Sequence, residues 1–294
     1  HLRNDVPLLD LSDDKRVEAR LKRRRAYAPT RIATPMADIQ SLIRLDRSLA
    51  VVTGGARGIG RAAAAALASL GAQVVIADLD EGASEAVVAE IAGRGGRALA
   101  LPADISNEAS VDALFGELAK REGAVDILVN NAGIAIRRPA VELALADWEK
   151  VVAVNVTGAF LCARAAARQM IAGGKGGAIV NVASIMGLSG GGLYPNVSYQ
   201  TSKGALVNMT RALAIEWAPH RIRVNAVAPT YVRTRLTAPL LEIPEVLAKI
   251  EAMTPLHRLA EPDEVAAAIC FLASPAAAMI TGHVLPVDGG FLAQ

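Results

Sequence analysis

Short apolar runs alternate with longer helix-forming segments along most of this 294-residue chain. The runs Ser48–Thr53, Gln73–Asp78 and Val125–Asn130 are rich in Val, Ile and Leu and carry few polar residues. Such runs are typical of strands buried on both faces of a parallel sheet, and parallel neighbours need crossover helices between them. The alternation therefore predicts one doubly wound α/β domain.

A glycine-rich turn links the first predicted strand to the first predicted helix. It reads Gly54-Gly-Ala-Arg-Gly-Ile-Gly60, and an alanine-rich run that favours helix follows from Arg61. Glycine lets backbone N–H groups approach a pyrophosphate at a helix N-terminus, where the helix dipole favours an anion. The turn therefore predicts a dinucleotide phosphate site, with candidate contacts at Gly54, Arg57, Gly58, Ile59 and Gly60.

The residue that ends the second strand indicates which dinucleotide binds. Asp78 follows the glycine turn by about 20 residues, where a carboxylate can bind both ribose hydroxyls of NAD and repel the 2′-phosphate of NADP. Arg57 favours the opposite choice, because a cation near the turn could pair with that phosphate. We give Asp78 more weight, since its neighbour Leu79 adds no compensating charge. The expected cofactor is NAD, with NADP as the alternative.

A tyrosine and a lysine stand four residues apart in Ser-Tyr-Gln-Thr-Ser-Lys-Gly. The run Val197–Trp217 has few helix breakers, so Tyr199 and Lys203 should lie on one helix face. A free tyrosine titrates at about 10, and we expect the Lys203 ammonium to lower that pKa by favouring the phenolate. Ser184, which ends the predicted strand 178–184, could donate to the same substrate oxygen. These side chains predict acid–base chemistry on a hydroxyl or carbonyl group.

The remaining predicted elements continue the alternation. They are helices at 82–94, 107–122, 147–170 and 264–273, and strands at 97–102 and 221–228. A loop-rich, proline-containing stretch at 235–255 is expected to form part of the substrate pocket. Cys162 and Cys270 lie in apolar helical segments, so we expect them in the core and not in a disulfide or a metal site.

The first 35 residues differ from the rest of the chain. They hold nine Lys or Arg against five Asp or Glu, including the run Arg20–Arg25, and show no periodic apolar face. A basic arm could contact nucleic acid or an acidic partner, but we interpret it as a dispensable solvated extension of a domain at 36–294. Charged residues or glycine interrupt the apolar windows, and no secretory signal is visible. We therefore expect a cytoplasmic protein that binds neither nucleic acid nor membrane.

Taken in order, the motifs resemble those of the short-chain dehydrogenase/reductase family over about residues 46–294. They are Thr53–Gly60, Asn130-Asn-Ala-Gly133, Asn155 in Val-Asn-Val-Thr-Gly, Ser184, Tyr199-x-x-x-Lys203, Pro229–Thr234 and Asp288-Gly-Gly290. Each motif is modest alone, but this order is highly specific. The resemblance implies a single-domain Rossmann fold with a seven-stranded parallel sheet, and it implies a homotetramer.

The resemblance also implies roles for single residues. Tyr199 would be the acid/base, and Lys203 would hold the nicotinamide ribose and lower the tyrosine pKa. Ser184 would orient the substrate oxygen, and Asn155 would hold a water that relays protons to the lysine. Asp104 would meet the adenine. The other implied cofactor contacts are Asn131, Ala132 and Gly133 on the adenine-ribose side, and Val232 and Thr234 at the carboxamide, with Pro229 beside them.

Two departures from the family pattern lie near the expected substrate. Thr230 stands where the family commonly has glycine, which narrows backbone freedom beside the nicotinamide. Ser184 precedes Tyr199 by 15 residues, slightly more than is usual, and the extra residues fall in Leu188–Asn196. This longer segment, together with Met253-Thr-Pro and Phe271-Leu-Ala-Ser-Pro, is similar to bacterial polyol and sugar-alcohol dehydrogenases.

We therefore expect an NAD-dependent oxidoreductase that interconverts a small secondary alcohol, of the polyol or sugar-alcohol type, and its ketone. An NADPH-dependent ketone or 3-oxoacyl reductase is the alternative, and Arg57 favours it. A dinucleotide-binding protein without turnover is a third interpretation. The presence of Asn155, Ser184, Tyr199 and Lys203 together argues against that third interpretation.

Overall fold

The structure, a computed structural model, describes residues 38–294. Within that range the strands are β1 (Leu49–Thr53), β2 (Gln73–Asp78), β3 (Arg97–Pro102), β4 (Ile127–Asn130), β5 (Gly177–Val182), β6 (Ile222–Pro229) and β7 (Val284–Val287). They form one sheet in the order β3-β2-β1-β4-β5-β6-β7, and every neighbouring pair is parallel. The predicted doubly wound fold with a seven-stranded parallel sheet is confirmed. The basic segment 1–35 lies outside the described residues, so its dispensability stays a prediction.

Helices cover both faces of the sheet. They are α1 (Ile39–Ile43), α2 (Gly58–Ser69), α3 (Glu81–Gly93), α4 (Glu108–Arg121), α5 (Leu145–Val152), α6 (Ala159–Gly173), α7 (Val197–Trp217), α8 (Ala238–Leu241), α9 (Pro244–Ala252) and α10 (Pro262–Ala273). Side-chain caps fix two of the starts: Asp80 accepts from Ala83 N at the start of α3, and Asn107 accepts from Ser110 N at the start of α4. Caps of this kind satisfy donors that the first turn leaves unpaired.

Alternate residues of each strand pack in two separate apolar layers. Val52 of β1 belongs to the layer with Leu67 of α2 and helix α10, whereas Val51 belongs to the layer with Leu118 of α4 and helices α6 and α7. All five residues of β1 are buried, which explains why every residue before the final Thr53 is apolar. Burying a Val or Leu side chain contributes about 1.5–3 kcal/mol, so these two layers supply the main driving force for the fold.

The order of the strands reverses beside β1. The chain moves outward from β1 to β2 and β3, then returns to place β4 on the other side of β1. Connections on the two sides leave the sheet in opposite directions at this point, and a crevice opens at the carboxyl ends of the strands. The glycine turn after β1 and the segment after β4 both face that crevice.

Two predicted segments differ from the structure. The predicted helix 147–170 is a composite of α5, a π-helical segment Ala153–Gly158, and α6. The stretch 235–255, predicted to be loop-rich, contains α8 and α9. Pro239 and Pro244 lie in the first turns of these helices, where the missing N–H removes no helical hydrogen bond. The prolines therefore start helices here.

The composite Leu145–Gly173 also corrects the expectation that no apolar window is long enough to span a membrane. By length and composition it is long and apolar enough, and 56% of its most apolar window is buried inside the fold. Leu161, Ala166 and Met170 pack in the sheet layer that contains Val51. The segment is placed as a core helix of the α/β domain.

Candidate active site

A cavity of about 720 Å³ follows the crevice from the glycine turn to the start of α7. Most residues predicted as site residues line it. They are Gly54, Arg57, Gly58, Ile59, Asp78, Asp104, Asn131, Ala132, Gly133, Ser184, Tyr199, Lys203, Pro229, Val232 and Thr234. Gly60 and Asn155 do not line it. One continuous cavity thus connects the predicted dinucleotide site to the predicted acid–base residues.

The glycine turn forms a close-packed cradle at the N-terminus of α2. Gly54 and Gly58 have φ of +63° and +52°, which non-glycine residues rarely adopt. A Cβ at Gly60 would lie 2.1 Å from the carbonyl oxygen of Gly54, so Gly60 acts by packing and not by lining the cavity. Asn131 Nδ2 donates to that same carbonyl oxygen at 2.9 Å and ties the turn to the end of β4.

The chemistry of this cradle fits a dinucleotide pyrophosphate. Arg57, which precedes α2, makes no side-chain cap, so the first N–H groups of the helix have no side-chain acceptor. These groups and the helix dipole favour an anion at this position. The residues present therefore fit the phosphate group that the sequence predicted here.

Two acidic residues follow β2 and have different partners. Asp78 Oδ2 accepts from Ala56 N at 3.1 Å, and its Oδ1 accepts from Asp80 N at 3.1 Å. Both oxygens keep lone pairs for further donors, such as ribose hydroxyls. The carboxylate of Asp80 forms an ion pair with Arg57. Arg57 lines the cavity as predicted, but with part of its charge already balanced.

Asp104 also has local partners. Its Oδ1 accepts from the backbone N and the hydroxyl of Ser106, at 2.9 and 2.6 Å, and its own N donates to Ser110 Oγ. These bonds order the turn between β3 and α4. Asp104, the predicted adenine contact, therefore also fixes the shape of the turn that lines this part of the cavity.

The tyrosine and the lysine lie in the first two turns of α7. Lys203 is 4% exposed, and its Nζ donates to the carbonyl oxygen of Val182 at 2.7 Å. That Nζ lies 5.4 Å from the centroid of the Tyr199 ring. Ser184 follows the last residue of β5 by two positions, and its Oγ accepts from Met186 N at 3.1 Å. The three side chains converge on the same end of the cavity, as the spacing predicted.

The pKa of Tyr199 differs from the expectation. Burial raises the pKa of Tyr199 to about 12, while a hydrogen bond with Ser184 and the charge of Arg137 act in the opposite direction. Tyr199 keeps some exposure to the cavity, yet the dense protein around its ring disfavours the phenolate. Burial also lowers the pKa of Lys203 to about 8. The expectation of a lowered Tyr199 pKa is therefore corrected, because burial dominates and Lys203 is not among the groups that shift this pKa.

Asn155 connects the segment after β4 to α7. Its Oδ1 accepts from Ile134 N at 2.8 Å, and its Nδ2 donates to Ile134 O and to Ser202 Oγ, both at 2.9 Å. The side chain is 1% exposed and lies in the π-helical segment. A π-helical insertion shifts the face that a residue presents and is frequent at functional sites. Here it positions Asn155 against the turn that carries Lys203.

Several lining residues were not predicted as site residues. Thr230 is 8% exposed, and its Oγ1 is buried without a hydrogen-bond partner in the described part of the chain. The sequence signal was its departure from glycine. Leu236 and Thr237 also line the cavity, but the interpretation of 235–255 as loop-rich concealed the turn that presents them. Thr237 Oγ1 donates to Val232 O at 2.5 Å and closes that turn.

A parallel sheet with a glycine cradle at its switch point places the protein in the class of Rossmann-type dinucleotide-binding folds. A family model described as "Enoyl-(Acyl carrier protein) reductase" matches residues 54–292. The chain belongs to the short-chain dehydrogenase/reductase family, as the motifs indicated, and it is an oxidoreductase of the kind that acts on alcohol groups.

Three similar proteins illustrate the range of the family. The cis-4-hydroxycyclohexanecarboxylate dehydrogenase of Sinomonas cyclohexanicum is 47% identical, over 83% of this chain and 96% of its own length. The galactitol 2-dehydrogenase of Rhizobium johnstonii is 44% identical, over 86% and 98%. The structure of a gluconate 5-dehydrogenase from Burkholderia cenocepacia, in complex with NADP and tartrate, is 35% identical, over 87% and 100%, with a TM-score of 0.83.

Proposed function

We propose that this protein oxidises a secondary alcohol of the polyol or sugar-alcohol type to a ketone with NAD, and that Tyr199 is the acid/base. The observation that carries the proposal is the convergence of Ser184, Tyr199 and Lys203 in the cavity that also holds the glycine cradle. The relatives named for galactitol and for a hydroxycyclohexanecarboxylate support a secondary hydroxyl as the reacting group.

The chain's own residues would divide the work along the cavity. The cradle before α2 would hold the pyrophosphate, Asp78 the adenine-side ribose, and Lys203 the nicotinamide ribose. Val232, Thr234 and the free Thr230 hydroxyl would face the carboxamide. The nicotinamide supplies the hydride acceptor or donor when it is bound.

Proton transfer would fall to Tyr199. Ser184 would hold the substrate oxygen, and in ketone reduction the Tyr199 phenol would protonate that oxygen. Alcohol oxidation would need the phenolate as base. Because burial raises the pKa of Tyr199 to about 12, the protein at neutral pH holds the proton on the phenol. Oxidation should consequently become faster as the pH rises, since a larger fraction of Tyr199 is deprotonated.

A second candidate is NADPH-dependent reduction of a ketone or a 3-oxoacyl group. It is favoured by Arg57, which lines the cavity, and by the NADP in the structure of the gluconate 5-dehydrogenase. Arg57 forms an ion pair with Asp80, and the Asp78 carboxylate would repel a 2′-phosphate. We therefore place this candidate second. A cytoplasmic homotetramer with a dispensable segment 1–35 completes the proposal.

Initial rates with a panel of secondary alcohols and both cofactors test the function. Tyr199→Phe removes only the phenolic oxygen, so turnover should fall by about 10²–10⁴, while the melting temperature and NAD affinity stay unchanged. For the wild type, kcat/KM for alcohol oxidation should rise between pH 6 and 9. Lys203→Ala should weaken NAD binding as well as turnover.

Tyr194→Phe is the matched control, because Tyr194 lies in the neighbouring loop and contacts the same apolar cluster. It should retain most of the turnover. Near-normal turnover in Tyr199→Phe with a large loss in Tyr194→Phe would move the acid/base to Tyr194. Oxidation that slows as the pH rises would contradict a tyrosine base.

A further inference from the structure

Arg137 places a positive charge beside the cavity, which it does not itself line, through contacts with one lining residue and one residue of the neighbouring loop. It follows the segment after β4, and its Nη2 donates to the carbonyl oxygen of Leu236 at 3.1 Å. Its Cζ lies 5.0 Å from the centroid of the Tyr194 ring. Leu236 lines the cavity, and Tyr194 belongs to the segment Leu188–Asn196. The guanidinium is therefore held by two contacts, one with the cavity-lining residue Leu236 and one with Tyr194 in the neighbouring loop.

The hydrogen bonding of this guanidinium is incomplete. The Nε of Arg137 is buried and has no acceptor in the described part of the chain. No Asp or Glu among residues 38–294 lies within ion-pair distance of it. Arg164 makes a useful comparison, because its Nε also lacks a partner but its guanidinium pairs with Glu108. Leaving a buried donor unpaired is unfavourable. An anion from outside the chain would supply the acceptor and the negative charge that Arg137 lacks.

The charge of Arg137 reaches the reacting end of the cavity. Burial raises the pKa of both Tyr199 and Tyr231, and in each case the charge of Arg137 acts in the opposite direction. The Tyr194 ring, which contacts the guanidinium, packs against the same apolar cluster as Tyr199. The guanidinium therefore lies on the side of the cavity that carries the acid–base residues.

The side chains packed around Tyr194 and Tyr199 are mainly apolar. Ile185, Met186 and Tyr231 form a buried cluster with Ile250, and Leu193, Tyr194 and Tyr199 pack against it. Apolar packing of this kind limits the access of water, and this strengthens the attraction between Arg137 and an anion. The planar guanidinium matches a carboxylate through two parallel N–H donors.

We propose that the substrate is a hydroxy acid whose carboxylate binds Arg137 while its secondary hydroxyl lies against Ser184 and Tyr199. This inference rests on the proposed function and names its substrate class. A polyol chain that ends in a carboxylate, or a ring that carries a hydroxyl and a carboxylate, fits this description. Arg137 is thereby assigned as the residue that selects the acid over the corresponding neutral alcohol.

Matched pairs of compounds test the assignment. Each pair differs only in a carboxylate replacing a CH₂OH group: D-gluconate with D-glucitol, and cis-4-hydroxycyclohexanecarboxylate with cis-4-(hydroxymethyl)cyclohexanol. Binding is measured by calorimetry in the presence of saturating NADH, so that no alcohol is oxidised. The wild type should bind at least one acid about 10- to 100-fold more tightly than its partner, the usual range for hydrogen bonds to a charged group.

Variants at Arg137 and at its neighbour separate recognition from structure. Arg137→Gln should bring the acid-to-alcohol ratio close to one without changing the affinity for NADH, and Arg137→Lys should retain part of the preference. Arg138→Gln, at the exposed neighbouring position, should leave the ratio unchanged. Should Arg137→Gln fail to fold, the wild-type ratio and the Arg137→Lys variant still decide the matter.

The outcomes distinguish this inference from the proposed function. Equal or weaker binding of every acid, or a preference that survives Arg137→Gln, would overturn the assignment of Arg137. Oxidation of neutral alcohols without a preference for acids would do the same, while the proposed function would stand. Arg137-dependent binding of an acid without any NAD reduction would instead support the assignment and contradict the proposed function.

Discussion

Asp78 is the residue on which the proposed choice of NAD depends. Backbone N–H groups of Ala56 and Asp80 orient its carboxylate, so the oxygens face the cavity without first having to be ordered. A wild-type preference for NAD of about tenfold or more is expected, because each lost contact or added repulsion is worth about 1.4 kcal/mol or more. Asp78→Asn should reduce that preference about tenfold, as measured by kcat/KM with both cofactors.

Asp80→Asn is the informative companion variant. It keeps a side chain that can cap α3 but removes the carboxylate that pairs with Arg57. If Asp78 decides the preference, Asp80→Asn should change the ratio only slightly. A wild-type enzyme that favours NADP tenfold, or a strong shift toward NADP in Asp80→Asn alone, would make Arg57 the determining residue.

For single residues, the sequence predicted where the site side chains lie better than it predicted their pKa values. The period of a helix places Tyr199 and Lys203 on one helix face. The carboxyl ends of parallel strands meet at one sheet edge, which brings Asp78 and Ser184 to the same side of the fold. Both predictions depend only on the geometry of the backbone. The pKa of Tyr199 depends on how tightly other segments surround it. That density comes from residues distant in sequence, so the predicted direction of the pKa was wrong.

Arg223 links strand β6 to the end of helix α10, an interaction that no local sequence pattern predicts. It lies on β6, and its guanidinium donates to the carbonyl oxygens of Leu272, Ala273 and Ser274, at 2.7 to 3.1 Å. These carbonyl groups end α10, where the helix dipole favours a cation. Replacing Arg223 should leave buried acceptors unpaired and loosen the packing of α10 on the sheet.

Arg223→Met keeps much of the apolar stem and removes the donors. We expect the free energy of unfolding to fall by about 2–3 kcal/mol, because unpaired buried acceptors each cost about 1–3 kcal/mol. Urea unfolding followed by circular dichroism measures this change. Lys120→Met, at an exposed position on α4, is the control and should change stability little. Equal effects in the two variants would contradict a capping role for Arg223.

The sequence predicted which segments are strands and helices better than it predicted irregularities within them and where they begin. Apolar runs predicted β1 to β6, because burial on both faces requires that pattern, whereas β7 lies in a closing segment that was not assigned to a strand. The π-helical insertion at Asn155 was not predictable, since it depends on packing between α5, α6 and α7. The prolines of 235–255 were assigned to loops because a proline marks a boundary without showing which side is helical.

At the scale of the whole molecule, α6 and α7 keep apolar side chains at the surface. Phe160 and Ile171 on α6 are each 39% exposed, and Ile215 on α7 is 78% exposed. Exposed apolar faces commonly mark subunit contacts, and closed two-fold contacts use the same patch on both partners. These exposed side chains support the expectation of a homotetramer in which α6 or α7 meets its copies.

Light scattering at micromolar concentration should therefore give the mass of four chains. Phe160→Arg combined with Ile215→Arg should yield smaller species, because two charges cannot be buried in a contact without partners. The smaller species should also unfold at a lower temperature, since association stabilises the folded state by mass action. Val141→Arg, at a residue that is 96% exposed and outside both helices, should leave the tetramer intact. A monomeric wild type would refute the assembly, and an unaltered tetramer in the double variant would place its contacts on another face.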